Sequence, residues 1–216
     1  MSRRELTFYA TAFLPPFLLY TLTRGKTWAL DTLYTIDSAE MVLASQTLGI
    51  DHPPGHPLYL ILAHLFSLLP FARADEGVII CSVVAMSLAV VFLAQAIRTR
   101  TGSDLAGLGI GWAFAFGLVV WFHGTIAEVY AVQLAGLAAC YALVAAWLKS
   151  RRPATFFALC FSLGLTATTN VLLVVLLLPG LSYLAYRSGL FSRRFFPPSL
   201  AFTGLGFAIL GATPLI

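Results

Sequence analysis

Charge is what this chain has least of. Of its 216 residues only 10% are Asp, Glu, Lys or Arg, against roughly 25% in soluble domains. So few charges cannot cover a water-facing surface, and 59% of the residues are apolar; together these exclude a soluble globular domain. The composition is that of an integral membrane protein. Cysteine is also scarce: Cys81, Cys140 and Cys160 lie inside apolar runs without paired spacing, which excludes a disulfide framework and leaves small packing residues. There is no glycine-rich phosphate loop and no Asp-x-Asp pair, so no soluble-nucleotide site is visible. A net charge of +4 is too small for a nucleic-acid footprint and reads as loop asymmetry across a membrane; no nucleic-acid partner is expected. The N-terminus has a basic start and an apolar run but no small-x-small cleavage site, so it reads as a retained helix.

What is there is a series of apolar runs. A spanning helix needs about 20 apolar residues, and residues 6–23, 77–97, 105–122, 129–148 and 197–216 meet that need. Residues 154–186 are too long for one span and short for two, and "TATTN" at 166–170 interrupts them. They read as a broken hairpin with its tip near Asn170. The segment 57–71, "PLYLILAHLFSLLPF", carries His64 and is short for a span. Loop charge decides its place, because Lys and Arg gather on the cytoplasmic side. With the N-terminus in the cytoplasm and 57–71 lying along the outer surface, Arg3/Arg4, Arg98/Arg100, Lys149/Arg151/Arg152 and Arg187/Arg193/Arg194 all fall inside.

The expected fold is therefore all-α: a single polytopic membrane helical bundle over 1–216, with about seven spans. The first external loop, 24–76, carries surface-lying helices. Asp31, Asp37, Glu40, Asp51, Asp75, Glu76 and Glu128 then face outward, and only Glu5 and Asp104 face inward.

The outer acids include the chain's most unusual stretch, "DSAEMVLASQTLGIDHPPGHPLY" at 37–59. Asp37 and Glu40 share a helix face at this spacing. Asp37 fits an N-cap, Glu40 the capping-box position, and Gly49 a C-cap, which explains the pair without chemistry. The other reading makes one carboxylate a general base or a cation ligand beside the membrane. Pro53, Pro54 and Pro57 stiffen the following turn and Gly55 allows its sharpness, as in a plain connector. His52 and His56 add a second possibility, a divalent-metal site with Asp37, Glu40 and His52, although the spacing matches no known metal motif. Glu128, at the outer start of a helix, suits the helix dipole or the same outer cavity. Trp121 and Tyr130 suit an interfacial belt. His64 and Asn170 suit bonds between helices.

These motifs carry a resemblance. "DSAE", then "GIDHPPGHPLY", then "AEVY" at 127–130 resemble the GT-C type membrane glycosyltransferase family that includes the transmembrane protein 260 type protein O-mannosyltransferases. Relatives show an acid-small-Gly-Glu motif followed by Gly-x-x-His-Pro-Pro-Gly-aromatic-Pro-Leu. Here Ala39 replaces the glycine and His56 the aromatic, and Thr169 and Asn170 stand where a histidine is common at the hairpin tip.

The resemblance implies transfer of a sugar from a polyprenyl-phosphate donor to an acceptor hydroxyl, on a protein or glycan, at the non-cytoplasmic face and with inversion. It implies Asp37 as the base and Glu40 as its assistant. It implies donor or acceptor contacts for His52, His56, Tyr59, Glu128, Arg24 and Lys26, a membrane-lipid environment and no certain cofactor, a divalent metal being compatible with the acids. It further implies a truncated or minimal bacterial relative in the inner membrane, with a C-terminal part expected to be missing. The alternatives are a membrane transporter, or a non-catalytic fragment or scaffold of a glycosyltransferase.

Overall fold

The computed structural model describes residues 2–25, 36–53, 55–170, 175, 179–180, 182–183, 186 and 196–211. These residues are helical, with no strand among them. In chain order the helices are α1 (Arg3–Thr23), α2 (Ile36–Thr47), α3 (Pro57–Ser67), α4 (Ala74–Thr101), α5 (Asp104–Ala115), α6 (Leu118–Gly124), α7 (Tyr130–Ser150), α8 (Pro153–Ala167) and α9 (Phe196–Gly211). The chain is an integral membrane protein: α1, α4 and α7 are long and apolar enough to cross, and α5 with α6 adds a fourth crossing if the bent pair is one span. Most of the second half of the expected hairpin, residues 212–216 of the expected last span, and Arg187, Arg193 and Arg194 lie outside the described residues.

The central helix is α4: α1, α2, α3, α5, α6 and α7 pack on it, whereas α8 packs on α7 and α9 on α8. Helix α1 presents a stripe at helical spacing, Phe8, Ala12, Pro16 and Tyr20, all buried. Its start is fixed by a reciprocal cap: the Glu5 amide donates to Ser2 Oγ at 3.2 Å, and the Ser2 amide donates to Glu5 Oε2 at 2.7 Å. Helix α5 approaches α4 through Gly107 and Gly111, one turn apart. A side chain at Gly107 would run into the Ala94 carbonyl of α4, and one at Gly111 would press on Ala94 and Val90. Small residues at this spacing let membrane helices close on each other.

The run 105–122 is not the single straight span expected from its hydropathy. It breaks between α5 and α6 with a bend of 74°. Phe116 keeps helical dihedrals, but Gly117 turns to an extended conformation and caps α6. The break exposes the Ala115 carbonyl in a buried place, where the Tyr20 hydroxyl of α1 donates to it at 2.7 Å. A buried carbonyl that loses its helical donor needs such a replacement.

One end of the bundle gathers the ends of several elements. The Gly25 amide donates to the Thr125 carbonyl at 2.9 Å, and Trp121 Nε1 donates to Thr23 Oγ1 at 2.8 Å. Arg24 Nη2 lies 3.8 Å from Glu76 Oε1 at the start of α4. Ser82 Oγ donates to the Glu128 carbonyl at 3.5 Å, which places the start of α7 at this end too. At the opposite end Asp104 joins Arg4 of α1 and Arg98 of α4 at 2.8 and 2.7 Å. The described acids are thus segregated, with Glu5 and Asp104 at one end and Asp37, Glu40, Asp51, Asp75, Glu76 and Glu128 at the other.

Helix α3 packs across the start of α4. Gly77 makes this possible, because any side chain there would meet the backbone of Phe66 and Ser67. With 11 residues α3 is about 16 Å long, half of what the hydrocarbon core demands. Helix α2 lies on α3, held in part by a 2.8 Å bond between His64 Nδ1 and the Ser45 carbonyl.

Candidate functional site

Helix α2 sorts its residues by face. Ser38, Met41, Ala44 and Ser45 are buried against α3 and α4, whereas Asp37, Glu40, Leu43 and Thr47 are exposed. The two carboxylates therefore share the outward face, as the spacing predicts. The capping explanation fails in detail. Helix α2 already includes Ile36, so Asp37 sits in the first helical turn rather than ahead of it. At the other end Leu48, not Gly49, takes the left-handed conformation, with φ 50°. The Gly49 amide then donates to the Ala44 carbonyl at 2.9 Å, closing the helix. A non-glycine residue in that conformation costs about 1 kcal/mol or more.

The segment after α2 folds on itself. Gly55 adopts φ 82°, and its amide donates to the His52 carbonyl at 3.0 Å. That turn brings His56 back to Asp51. The His56 amide donates to Asp51 Oδ1 at 3.2 Å, and His56 Nδ1 bonds Asp51 Oδ2. Both side chains are almost completely inaccessible. Asp51 is a residue that sequence reasoning passed over as one outer acid among several. The available signal was an Asp five residues ahead of a His across a Pro-Pro-Gly turn.

The His56 ring in turn meets the edge of the His52 ring, with centroids 5.6 Å apart. His52 Nδ1 lies 3.2 Å from Glu40 Oε2, and these two side chains are 41% and 43% exposed. Desolvation works against a charge on His52, but the carboxylates of Glu40, Asp37 and Asp51 outweigh it and raise its pKa above the ordinary range. One ligand atom from each of Asp37, Glu40 and His52 can be chosen so that all lie within 4.8 Å of one another. The turn therefore delivers an imidazole to the acid face of α2.

Glu128 approaches from another element. It lies in the segment between α6 and α7, ahead of the helix rather than in its first turn, and is only 5% exposed. Burial, and then the charge of Asp37, push its pKa up to about 7, while the Val129 amide and the charges of His52 and His56 pull the other way. Glu128 thus feels the charges of Asp37, His52 and His56 from the segment between α6 and α7.

The remaining sequence candidates fall in different places. Tyr59 is fully buried in the core beneath α3. Arg24 pairs with Glu76 at the same end of the bundle. Lys26 and Asp31 lie outside the described residues. Tyr130 stacks at 4.6 Å on His123, and Asn170 follows the end of α8.

A family profile, the N-terminal domain of protein O-mannosyl-transferase TMEM260, matches residues 37–192. The chain belongs to this family. The match begins at Asp37 and includes Glu40, His52, His56, Tyr59 and Glu128, whereas Arg24 and Lys26 precede it. Among curated proteins, "Protein O-mannosyl-transferase TMEM260" of Mus musculus is 31% identical over 98 residues, 45% of this chain and 14% of that protein. "Protein O-mannosyl-transferase tmem260" of Dictyostelium discoideum is 25% identical over 100 residues, 45% of this chain and 12% of that protein. The matched region is thus a small part of each relative's length. No solved structure matches.

Proposed function

We propose that the chain is a glycosyltransferase module that moves a sugar, mannose by the names of its relatives, from a polyprenyl-phosphate donor to a protein hydroxyl. The observation that carries this reading is the outward carboxylate pair of Asp37 and Glu40 beside His52, at the acid-rich end of an integral membrane bundle. In this reading Asp37 takes the proton of the acceptor hydroxyl as that oxygen attacks the anomeric carbon from the face opposite the phosphate. The bond from the anomeric carbon to the phosphate oxygen breaks, and polyprenyl phosphate leaves with the electron pair. One displacement inverts the configuration. Glu40 orients the acceptor. His52, held towards its charged form by the surrounding carboxylates, and Arg24, at the same end of the bundle, meet the leaving phosphate.

The proposed topology has seven spans, with the N-terminus cytoplasmic and the acid end on the non-cytoplasmic side. Arg4, Arg98 and Asp104 meeting at the other end supports it. The length of α3 supports its lying on the surface. A single cysteine placed at Ser67, in a background without the native thiols, should react with impermeant maleimide only from the non-cytoplasmic side; cytoplasmic labelling overturns this orientation.

The reaction is tested with Asp37→Asn. Loss of a positioned base costs about 10²–10⁴ in rate, so transfer from polyprenyl-phosphate mannose should fall by at least that much in a variant that still inserts and folds. Unchanged transfer removes Asp37 as the base. A transporter reading places ionisable groups at a broken helix. The break at Phe116 and Gly117 has none within its own segment, so the observations favour the transferase.

A further inference from the structure

Among the described residues the charge gathered around Asp37 is mostly negative, a setting that suits a bound cation. Asp37 and Glu40 stand on one face of α2, and among the described residues no Lys or Arg lies within ion-pair distance of either. Glu128 reaches the same region from the segment ahead of α7. It is 95% buried by its 5% exposure, and among the described residues no donor but the Val129 amide meets its carboxylate. A buried carboxylate that also feels the charge of Asp37 is costly unless a proton or a cation offsets it. At this end the described arginines are engaged elsewhere, Arg24 with Glu76 and Arg73 with Asp75.

The donor set suits a metal ion. Metal–ligand bonds of about 2.0–2.4 Å place the donor atoms of one ion about 3–4.8 Å apart, from neighbouring to opposite positions. The chosen atoms of Asp37, Glu40 and His52 lie within 4.8 Å of one another. Two carboxylates with one imidazole favour an ion that accepts both hard oxygen and nitrogen, such as Mn²⁺ or Zn²⁺, over Ca²⁺ or Mg²⁺. The site is also supported from behind. The Asp51–His56 pair fixes the turn on which His52 stands, and the His56 ring packs against His52. Helix α2 fixes the acids. The site thus joins a helix face to an anchored turn, and it is open on the solvent side, where water or a ligand oxygen completes the coordination.

We propose that Asp37, Glu40 and His52 bind one divalent transition-metal cation, with Glu128 as a buried carboxylate that adds to the negative field holding it. The bond between His52 and Glu40 is then the metal-free form, in which the imidazole proton stands where the ion would sit. The proposal concerns binding alone and does not rest on the transferase reading, because no substrate enters its test.

The test is a Mn²⁺ titration of the full chain in detergent, followed by the loss of the free-ion paramagnetic resonance signal. One site per chain is expected. Glu40→Gln and His52→Ala should each weaken it by more than the roughly 10–100-fold that loss of a mere supporting contact costs. Asp104→Asn, at the opposite end, should leave it unchanged. No binding to the parent protein, or binding that survives both site variants, overturns the proposal. If either variant fails to fold, electron-spin-echo modulation of Mn²⁺ on the parent protein decides alone. Modulation from one imidazole nitrogen is expected, and an all-oxygen environment overturns the site.

Discussion

The two ends of this bundle treat charge in opposite ways. At one end Asp104 is clamped by Arg4 and Arg98, and the Arg98 guanidinium also lies 4.4 Å from the centre of the Phe8 ring. Asp104 is partnered twice there, and its partners tie α1, α4 and α5 together. At the other end Asp37 and Glu40 face outward with His52 beside them, and Glu128 is buried. Neutralised charges fasten helices. Acids gathered in a partly dry place bind what supplies the missing sign, and burial raises the pKa of Glu128 among them, which is why such groups gather at functional sites. The contrast assigns fastening to the Asp104 end and chemistry to the Asp37 end.

The largest expected effect tests whether the chemical end rests on a rigid base. Asp51→Ala removes the buried partner of His56 and the acceptor for its amide, and should cost about 3 kcal/mol in thermal unfolding of the full chain. Replacing both residues, as in the double variant Asp51→Ala, His56→Leu, should recover much of that loss, because no buried polar group is then left alone. A loss below about 1 kcal/mol in the single variant would mean the turn is held by its prolines rather than by this pair.

That pair marks the limit of what the sequence disclosed. The face shared by Asp37 and Glu40 followed from helical spacing, because neighbours on a helix are set by local geometry alone. The cores of α1, α4 and α7 followed from apolar length. The resemblance carried by the Asp-Ser-Ala-Glu and His-Pro-Pro-Gly-His-Pro motifs agrees with the family match. The burial of Glu128 did not follow, since it depends on how α6, α7 and the start of α4 pack, and local pattern left the helix dipole and a shared cavity with Asp37 as alternatives. The bend at Gly117 was hidden for a similar reason. Hydropathy is blind to it, and the break is sustained by a hydroxyl from Tyr20, distant in sequence.

The next effect sharpens the account of Glu128. Its ordinary pKa is 4.5, and in the folded protein it is about 7. Between those values the folded protein binds more protons than the unfolded chain, so stability must fall as pH rises through that window. The contribution is fully present below about 4.5 and is gone above about 7. Glu128→Gln removes this fall. At pH 8 the variant should be more stable than the parent, by at most about 3 kcal/mol before solvent screening is allowed for, and at pH 4 the two should unfold alike. Parallel pH profiles would mean that Glu128 is not desolvated, and the buried half of the acid end would lose its meaning.

The smallest expected effect lies at the fastened end. Asp104→Asn leaves a neutral side chain between Arg4, whose side chain is 75% exposed, and Arg98, which is 19% exposed. Arg4 can return to water, so little is lost there. Arg98 keeps its contact with the Phe8 ring. The melting temperature should fall less than in Asp51→Ala, and the deficit should vanish in about 1 M salt, where the screening length is only about 3 Å and the parent loses its own advantage. Transfer by the variant should match the parent, because nothing at this end faces the acids of α2. A variant that folds normally yet loses transfer would break the division of labour between the two ends, since a clamp that only fastens helices has no route to the reacting atoms.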